Sequence, residues 1–154
     1  LKIDFNISKP KIVISGLNPH AGENGNIGKE EILNILPVVK KLRKKGIIID
    51  GPLSADSILI KNNLKKYSCF VFLFHDQALI PFKYISQFSG VNYTGNLNII
   101  RTSPDHGTAY DLVGTNKVSK KSFMNCYKLI TRIYKNRMIN DKSKKIVKSK
   151  LSNW

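Results

Sequence analysis

Six consecutive apolar residues, CFVFLF (69–74), end abruptly at the polar triplet His75, Asp76 and Gln77, and no other stretch constrains the fold as much. Side chains alternate between the faces of a strand, so a run apolar at every position needs cover on both faces. Parallel sheets flanked by helices provide that cover. KIVISG (11–16) is a second β-branched run closed by glycine and reads as a buried strand. After it, Ile32, Ile35, Leu36, Val39 and Leu42 recur at helical spacing, and Gly46 follows a basic last turn as a stop. IIID (47–50) predicts another strand, and GPLSADS (51–57) a turn with a Ser or Asp to cap a helix near Ile58. VNYT (91–94) and LNII (97–100) predict two short strands, followed by a turn and a helix start in TSPDHGTAYDLVG (102–114). Phe123, Tyr127, Ile130 and Tyr134 give a last helical stripe. Strands alternating with helices define an α/β fold with a sheet that is at least partly parallel. Residues 1–137 are expected to form the structured portion and the Lys-rich segment 138–154 to fray.

The 154 residues, 42% hydrophobic and 23% charged, have the composition of a soluble globular domain. No apolar run approaches the roughly 18 residues of a membrane span. The chain opens on Leu1, and LKIDFNISKP lacks the features of a secretory signal, which suggests a piece of a longer cytoplasmic protein. Cys69 and Cys126 read as core thiols rather than a disulfide framework or a metal site. The net charge of +16 raises a basic nucleic-acid-binding module as an alternative. Much of that charge sits in KKLRKKG (40–46), KNNLKK (61–66) and the segment from Lys135, with no accompanying RNA-binding or zinc-finger motif. Such runs read as solvated faces.

All three histidines, His20, His75 and His106, follow predicted strands. Ligands of open α/β sheets bind outside the carboxyl ends of the strands, so this placement points to a site. Imidazoles suit zinc, cobalt and similar divalent metals, and a three-histidine site is one reading of the residues alone. The glycine-rich stretch GLNPHAGENGNIGKEE (16–31) fails as a phosphate cradle: Gly22 and Gly28 are too far apart for a P-loop, and Gly22, Gly25 and Gly28 miss the dinucleotide spacing. Glu30 and Glu31 are expected in the first helical turn, where carboxylates favour the helix dipole and oppose an anion. Anion binding is better supplied by Lys83, Asn92 and Arg101. Arg101 interrupts an apolar strand before a Thr-Ser-Pro turn, and its guanidinium can grip a phosphate or carboxylate bidentately.

Five blocks, GLNPHAGENGNIGKEE, GPLSADS, FHDQALIPFK, GVNYTGNL and IIRTSPDHGTAYDLVG, together resemble the 4-hydroxythreonine-4-phosphate dehydrogenase family of vitamin B6 biosynthesis. The resemblance runs from about Lys11 to Tyr134 and covers the C-terminal part of such a protein only. It implies an α/β/α fold like that of isocitrate and isopropylmalate dehydrogenases, here incomplete, and a homodimer with active sites shared between subunits. The implied reaction is NAD- or NADP-dependent oxidation of 4-phosphohydroxy-L-threonine to a 2-amino-3-oxo acid, which decarboxylates to 3-amino-2-oxopropyl phosphate. One divalent metal (zinc, magnesium or cobalt) is implied, with His20 and His75 as ligands and a third ligand outside this chain. His106 is thereby moved from the metal to the cofactor, with Gly107, Thr108 and Asp111. Lys83, Asn92 and Arg101 match substrate-binding positions. No catalytic base is assigned; Asp56, Asp76 and Lys83 are candidates, with helix capping an equal account of Asp56. A sister dehydrogenase acting on 4-phosphothreonate, 4-phosphoerythronate or a cyclic diol is the alternative. Asn26, Ser54 and the polar stretch TGNLNII depart from the family pattern without removing a matched ligand.

Overall fold

The computed structural model describes residues 1–108, 110–115 and 117–151, with side chains as far as 142 apart from those of 109 and 116. Two compact units emerge, one of Ser8–Pro81 and one of Leu1–Ile7 with Phe82–Trp154. A division within the first 137 residues is not visible in the sequence pattern.

The Ser8–Pro81 unit is built on a three-stranded parallel sheet in the order β2-β1-β3, where β1 is Lys11–Ser15, β2 is Ile48–Leu53 and β3 is Cys69–Val71. Alternation along β1 explains its central place. Val13, fully buried, joins Ile58 and Tyr67 on one face, while Ile12 and Ile14 pack with Ile35, Val39 and Ile49 on the other. The second cluster is roofed by α1 (Leu36–Lys44), whose buried Val39 follows Ile35 by one helical turn. Gly46, at φ +78°, takes the left-handed conformation that ends a helix, as its position in the sequence predicts. A short helix α2 (Lys61–Lys66) precedes β3, and α3 (His75–Ser86) follows it.

Several local expectations are corrected. The CFVFLF run is not a strand covered on both faces: β3 keeps only three of its residues, pairs with β1 alone, and leaves Leu73 and Phe74 exposed. Ile32 is exposed too, because the first turn at Glu31–Ile35 is a π-helix, which rotates it away from the apolar face. GPL continues β2 instead of forming a turn, and α2 begins only at Lys61 without a side-chain cap. Cys126 is a buried free thiol as read, whereas Cys69 is only half-buried.

In the other unit, β4 (Val91–Thr94) and β5 (Arg101–Pro104) form an antiparallel pair against α4 (Lys121–Leu151). The strand expected at LNII is a loop, and the strand lies instead in the RTSP that reads as a turn. Ser122, buried at the start of α4, receives the amide of Asp105 and donates to the carbonyl of Gly90, joining the helix to the ends of both strands. Cys126 and Ile133 form the buried side of α4; Phe123, Tyr127, Ile130 and Tyr134, the expected apolar stripe, are exposed. The helix continues to Leu151 through most of the segment expected to fray, whose last residues, 152–154, lie outside the described part. Among the described residues no helix is long and apolar enough to cross a membrane.

The N-terminal segment is held in this unit by one carboxylate. Asp4 receives both the Nε and Nη2 of Arg137, at 2.7 and 2.9 Å, together with the Tyr93 hydroxyl. The Arg137 guanidinium holds the Asp4 carboxyl down to about 2, against a partial upward push from burial. A depressed carboxyl stabilises the fold above its unfolded value, and that contribution disappears as pH falls through the folded value. Lowering pH from about 4 toward 2 is therefore expected to remove on the order of 2 kcal/mol of stability from the wild type, whereas D4N starts lower and lacks this component of the pH dependence. Urea unfolding across that range reads the difference, and parallel pH profiles for the two proteins would contradict it.

Candidate functional site

The glycine-rich loop after β1 turns around a buried charge. Glu31 is 2% exposed, and its Oε1 accepts the backbone amides of Leu17 and Asn18, each at 2.7 Å. Its Oε2 accepts the Asn18 side-chain amide at 2.9 Å, and the same amide donates to Glu30 at 2.7 Å. Burial pushes the Glu31 carboxyl up, but the hydrogen bonds from Asn18 and Leu17 outweigh it and the net shift is downward. Glu31 is therefore a clamp between the end of β1 and the first turn of the following helix. Glu31 lies in that first turn, as expected, and is buried there.

Between the clamped ends, five consecutive residues, His20, Ala21, Gly22, Glu23 and Asn24, have positive φ, from 42° to 79°. Left-handed backbone costs about 1–2 kcal/mol for a residue with a side chain, so such runs persist only when their surroundings dictate them. The glycines make room for the clamp. A Cβ on Gly22 would lie 2.6 Å from Glu31 Oε2 and 2.7 Å from the Gly28 carbonyl, and one on Gly16 would lie 2.7 Å from the Ala21 Cα.

This loop presents His20 in solvent, with Nδ1 3.4 Å from Glu23 Oε1. His75, first residue of α3, is also exposed, with Nδ1 2.7 Å from Asp76 Oδ1. They follow β1 and β3, paired parallel strands, and so stand at the same carboxyl edge of the sheet. The Ser15 hydroxyl donates to Gln77 Oε1 at 3.3 Å, linking the end of β1 to the first turn of α3. After β2, Asp56 accepts the Ser54 hydroxyl at 2.6 Å. That bond, with a smaller contribution from the field of His20, lowers its carboxyl despite an opposing effect of burial. Asp56 is then a weak proton acceptor at neutral pH. All three strands thus send a polar side chain to one edge.

The donor set fits a divalent metal in chemistry but not in number. A carboxylate on Nδ1 orients each imidazole and leaves Nε2 for a metal, the arrangement common around metal-bound histidines. Among the described residues, however, no three His, Cys, Asp or Glu side chains come together as a ligand set.

The remaining candidates lie beyond Pro81. Thr94 pairs with Arg101 and Asn92 with Ser103, so Asn92 and Arg101 share one face of the β4-β5 pair. Arg101 donates to Thr94 Oγ1 at 2.8 Å and is otherwise open to solvent. Lys83 is exposed in the last turns of α3. His106, Gly107 and Thr108 lie in an exposed loop where His106 Nδ1 faces the Gly107 carbonyl at 3.1 Å, and Asp111 sits in the 3-10 turn Tyr110–Leu112. A groove of about 400 Å³ runs along α4 between Tyr127 and Asn136 and contains none of these residues.

Parallel strands with polar side chains gathered outside their carboxyl ends define an α/β protein of the ligand-binding kind. Residues 1–130 match the family described as pyridoxal phosphate biosynthetic protein PdxA, and the chain belongs to that family. It is 47% identical over 133 residues to a 4-hydroxythreonine-4-phosphate dehydrogenase of Bradyrhizobium diazoefficiens, which covers 86% of this chain and 39% of the relative. The chain thus spans about two fifths of the length of the curated relatives it matches. The crystal structure of the Klebsiella pneumoniae 4-hydroxythreonine-4-phosphate dehydrogenase superposes with a TM-score of 0.73 at 39% identity, covering 84% of this chain and 39% of that one. A terephthalate 1,2-cis-dihydrodiol dehydrogenase from Burkholderia xenovorans is more distant, with a TM-score of 0.58 at 28% identity, covering 84% and 41%.

Because Gly22 combines a positive φ with contact on Glu31, G22A is expected to destabilise the protein by about 2 kcal/mol and to open the loop to proteases. Urea unfolding and limited proteolysis check this; an unchanged midpoint with an uncut loop would contradict the packing described.

Proposed function

We propose that this chain forms part of an NAD- or NADP-dependent, divalent-metal-dependent dehydrogenase of pyridoxal phosphate biosynthesis. The substrate is 4-phosphohydroxy-L-threonine, oxidised to a 2-amino-3-oxo acid that loses carbon dioxide to give 3-amino-2-oxopropyl phosphate. The observation that carries this reading is the pair His20 and His75 at one sheet edge, each with a carboxylate at Nδ1, in a chain of the PdxA family. The reading extends to an isocitrate/isopropylmalate dehydrogenase-like architecture, to a homodimer whose subunits share each active site, and to a cytoplasmic location.

His20 and His75 would each hold a metal through Nε2, with the third ligand supplied from outside this chain. When bound, zinc, magnesium or cobalt supplies a Lewis acid for the substrate hydroxyl and the ketone it becomes, and NAD or NADP accepts the hydride. The Arg101 guanidinium, with Asn92 on the same face of β4-β5 and Lys83 on α3, would bind the anionic groups of the substrate and fix its orientation. His106, Gly107, Thr108 and Asp111 would receive the cofactor. The group that moves the hydroxyl proton stays open among Asp56, which accepts the Ser54 hydroxyl, Asp76, which is paired with His75, and Lys83.

A second reading, a sister dehydrogenase for 4-phosphothreonate, 4-phosphoerythronate or a cyclic diol, is favoured by the likeness to the dihydrodiol dehydrogenase. Joined to the N-terminal three fifths of the Bradyrhizobium relative, the chain is expected to reduce NAD or NADP with 4-phosphohydroxythreonine and a divalent metal; alone it is expected to be inactive. H20A and H75A should each lower kcat at least about a hundredfold, and R101M should raise KM at least about tenfold. Turnover of only a diol or phosphothreonate in a substrate panel would favour the second reading, and a folded fusion inactive on every substrate would defeat both.

A further inference from the structure

Glu23 is paired with the His20 ring, but the backbone that carries both residues is held from outside the loop. The run from His20 to Asn24 is left-handed, a conformation its four non-glycine residues do not adopt by preference. The loop is a short 3-10 segment, Pro19–Gly25, with backbone bonds of its own; at its ends the amide of Ala21 reaches the Asn18 carbonyl at 3.1 Å, and those of Asn26 and Ile27 reach Glu23 and Gly22 at 3.2 Å each. What closes the loop is the Glu31 carboxylate, with three donors from Leu17 and Asn18 immediately before the strained run. Gly22, inside the run, packs so closely on the same carboxylate that no side chain fits. Glu31 thus fixes the loop at its entry through hydrogen bonds and at its middle through contact.

We propose that Glu31 is a positioning residue that sets His20 in its left-handed loop and thereby strengthens divalent-metal binding at His20. This inference rests on the reading of His20 as a metal ligand. A loop without the clamp samples right-handed and extended backbone, and only a fraction of its population presents the imidazole to a metal, so the apparent affinity falls by that fraction. The carboxylate is suited to this task because charge-assisted hydrogen bonds to backbone amides are about twice as strong as neutral ones.

The test uses the chain joined to the N-terminal three fifths of the Bradyrhizobium relative, the part that would supply the third ligand, with cobalt(II) as probe. Cobalt is titrated while the His20 ring signal is followed by NMR, and amide hydrogen exchange of residues 17–25 is measured without metal. For E31A, exchange in that segment is expected to quicken at least about tenfold and the cobalt midpoint at His20 to rise at least about tenfold. E31Q keeps one acceptor oxygen for the two backbone amides and should recover part of both effects, with a midpoint raised about fivefold. E31Q also carries the test if E31A does not fold, because its shape is unchanged. A purely structural role would lower the melting temperature of these variants while leaving the cobalt midpoint of the folded protein where it was, and that result would overturn the proposal. H20A separates the two levels of inference. A wild-type response that disappears in H20A yet is unchanged in folded E31A and E31Q refutes the positioning role alone. A His20 signal in the wild type that does not respond to cobalt refutes the metal reading, and the proposal with it.

Discussion

Burying a carboxylate is costly unless donors meet it, and in this protein the demand of Glu31 for donors organises the candidate site. The donors are the amides of Leu17 and Asn18, the first free backbone groups beyond β1. Meeting them brings the start of the next helix back against the end of the strand. The residues between must then double back in little space, which accounts for the left-handed turn, for glycine at positions 16 and 22, and for the solvent-facing position of His20. One electrostatic requirement therefore connects a sequence composition, a strained backbone and a presented imidazole.

The second unit solves a similar problem with a different chemistry. Asp4 and Arg137 are only about one-fifth exposed, and their bidentate pairing ties the first residues of the chain to α4. The same guanidinium also donates to the carbonyls of Leu97 and Asn98, so the loop between β4 and β5 is held by the group that holds the N-terminal segment. That loop leads directly into Arg101, whose face of the strand pair carries Asn92. In both units a paired charge some distance along the chain fixes a loop that delivers a polar side chain.

Much of this was legible in the sequence, because β1, α1 and β2 obey simple periodicities and Gly46 ends the helix where its position predicts. The placement of His20 and His75 after strands was legible for the same reason, and membership of the family followed from five blocks in order. Hydrophobic runs misled where tertiary cover was assumed. CFVFLF lies at a sheet edge, so only its first residues pair and its last lie in solvent, and Phe123, Tyr127 and Tyr134 are exposed on α4 although their spacing suits a core stripe. Polarity misled in the opposite direction: RTSP is a strand because its backbone pairs with Val91–Thr94, a long-range fact that no local composition reports. Glu31 was missed because its partners precede it in the chain and are mostly backbone amides. The one available signal was an acidic pair following a loop with three glycines, since close backbone approach to a buried group is a common reason for such glycines.

The central claim is that residues 20–24 form a left-handed turn enforced from Glu31. Three-bond couplings between amide and α protons, with backbone carbon shifts, report φ for each of these residues in solution. The account predicts positive φ at His20, Ala21, Glu23 and Asn24 together in the wild-type protein. Right-handed or averaged values at His20 and Ala21, with Glu31 still buried, would contradict it.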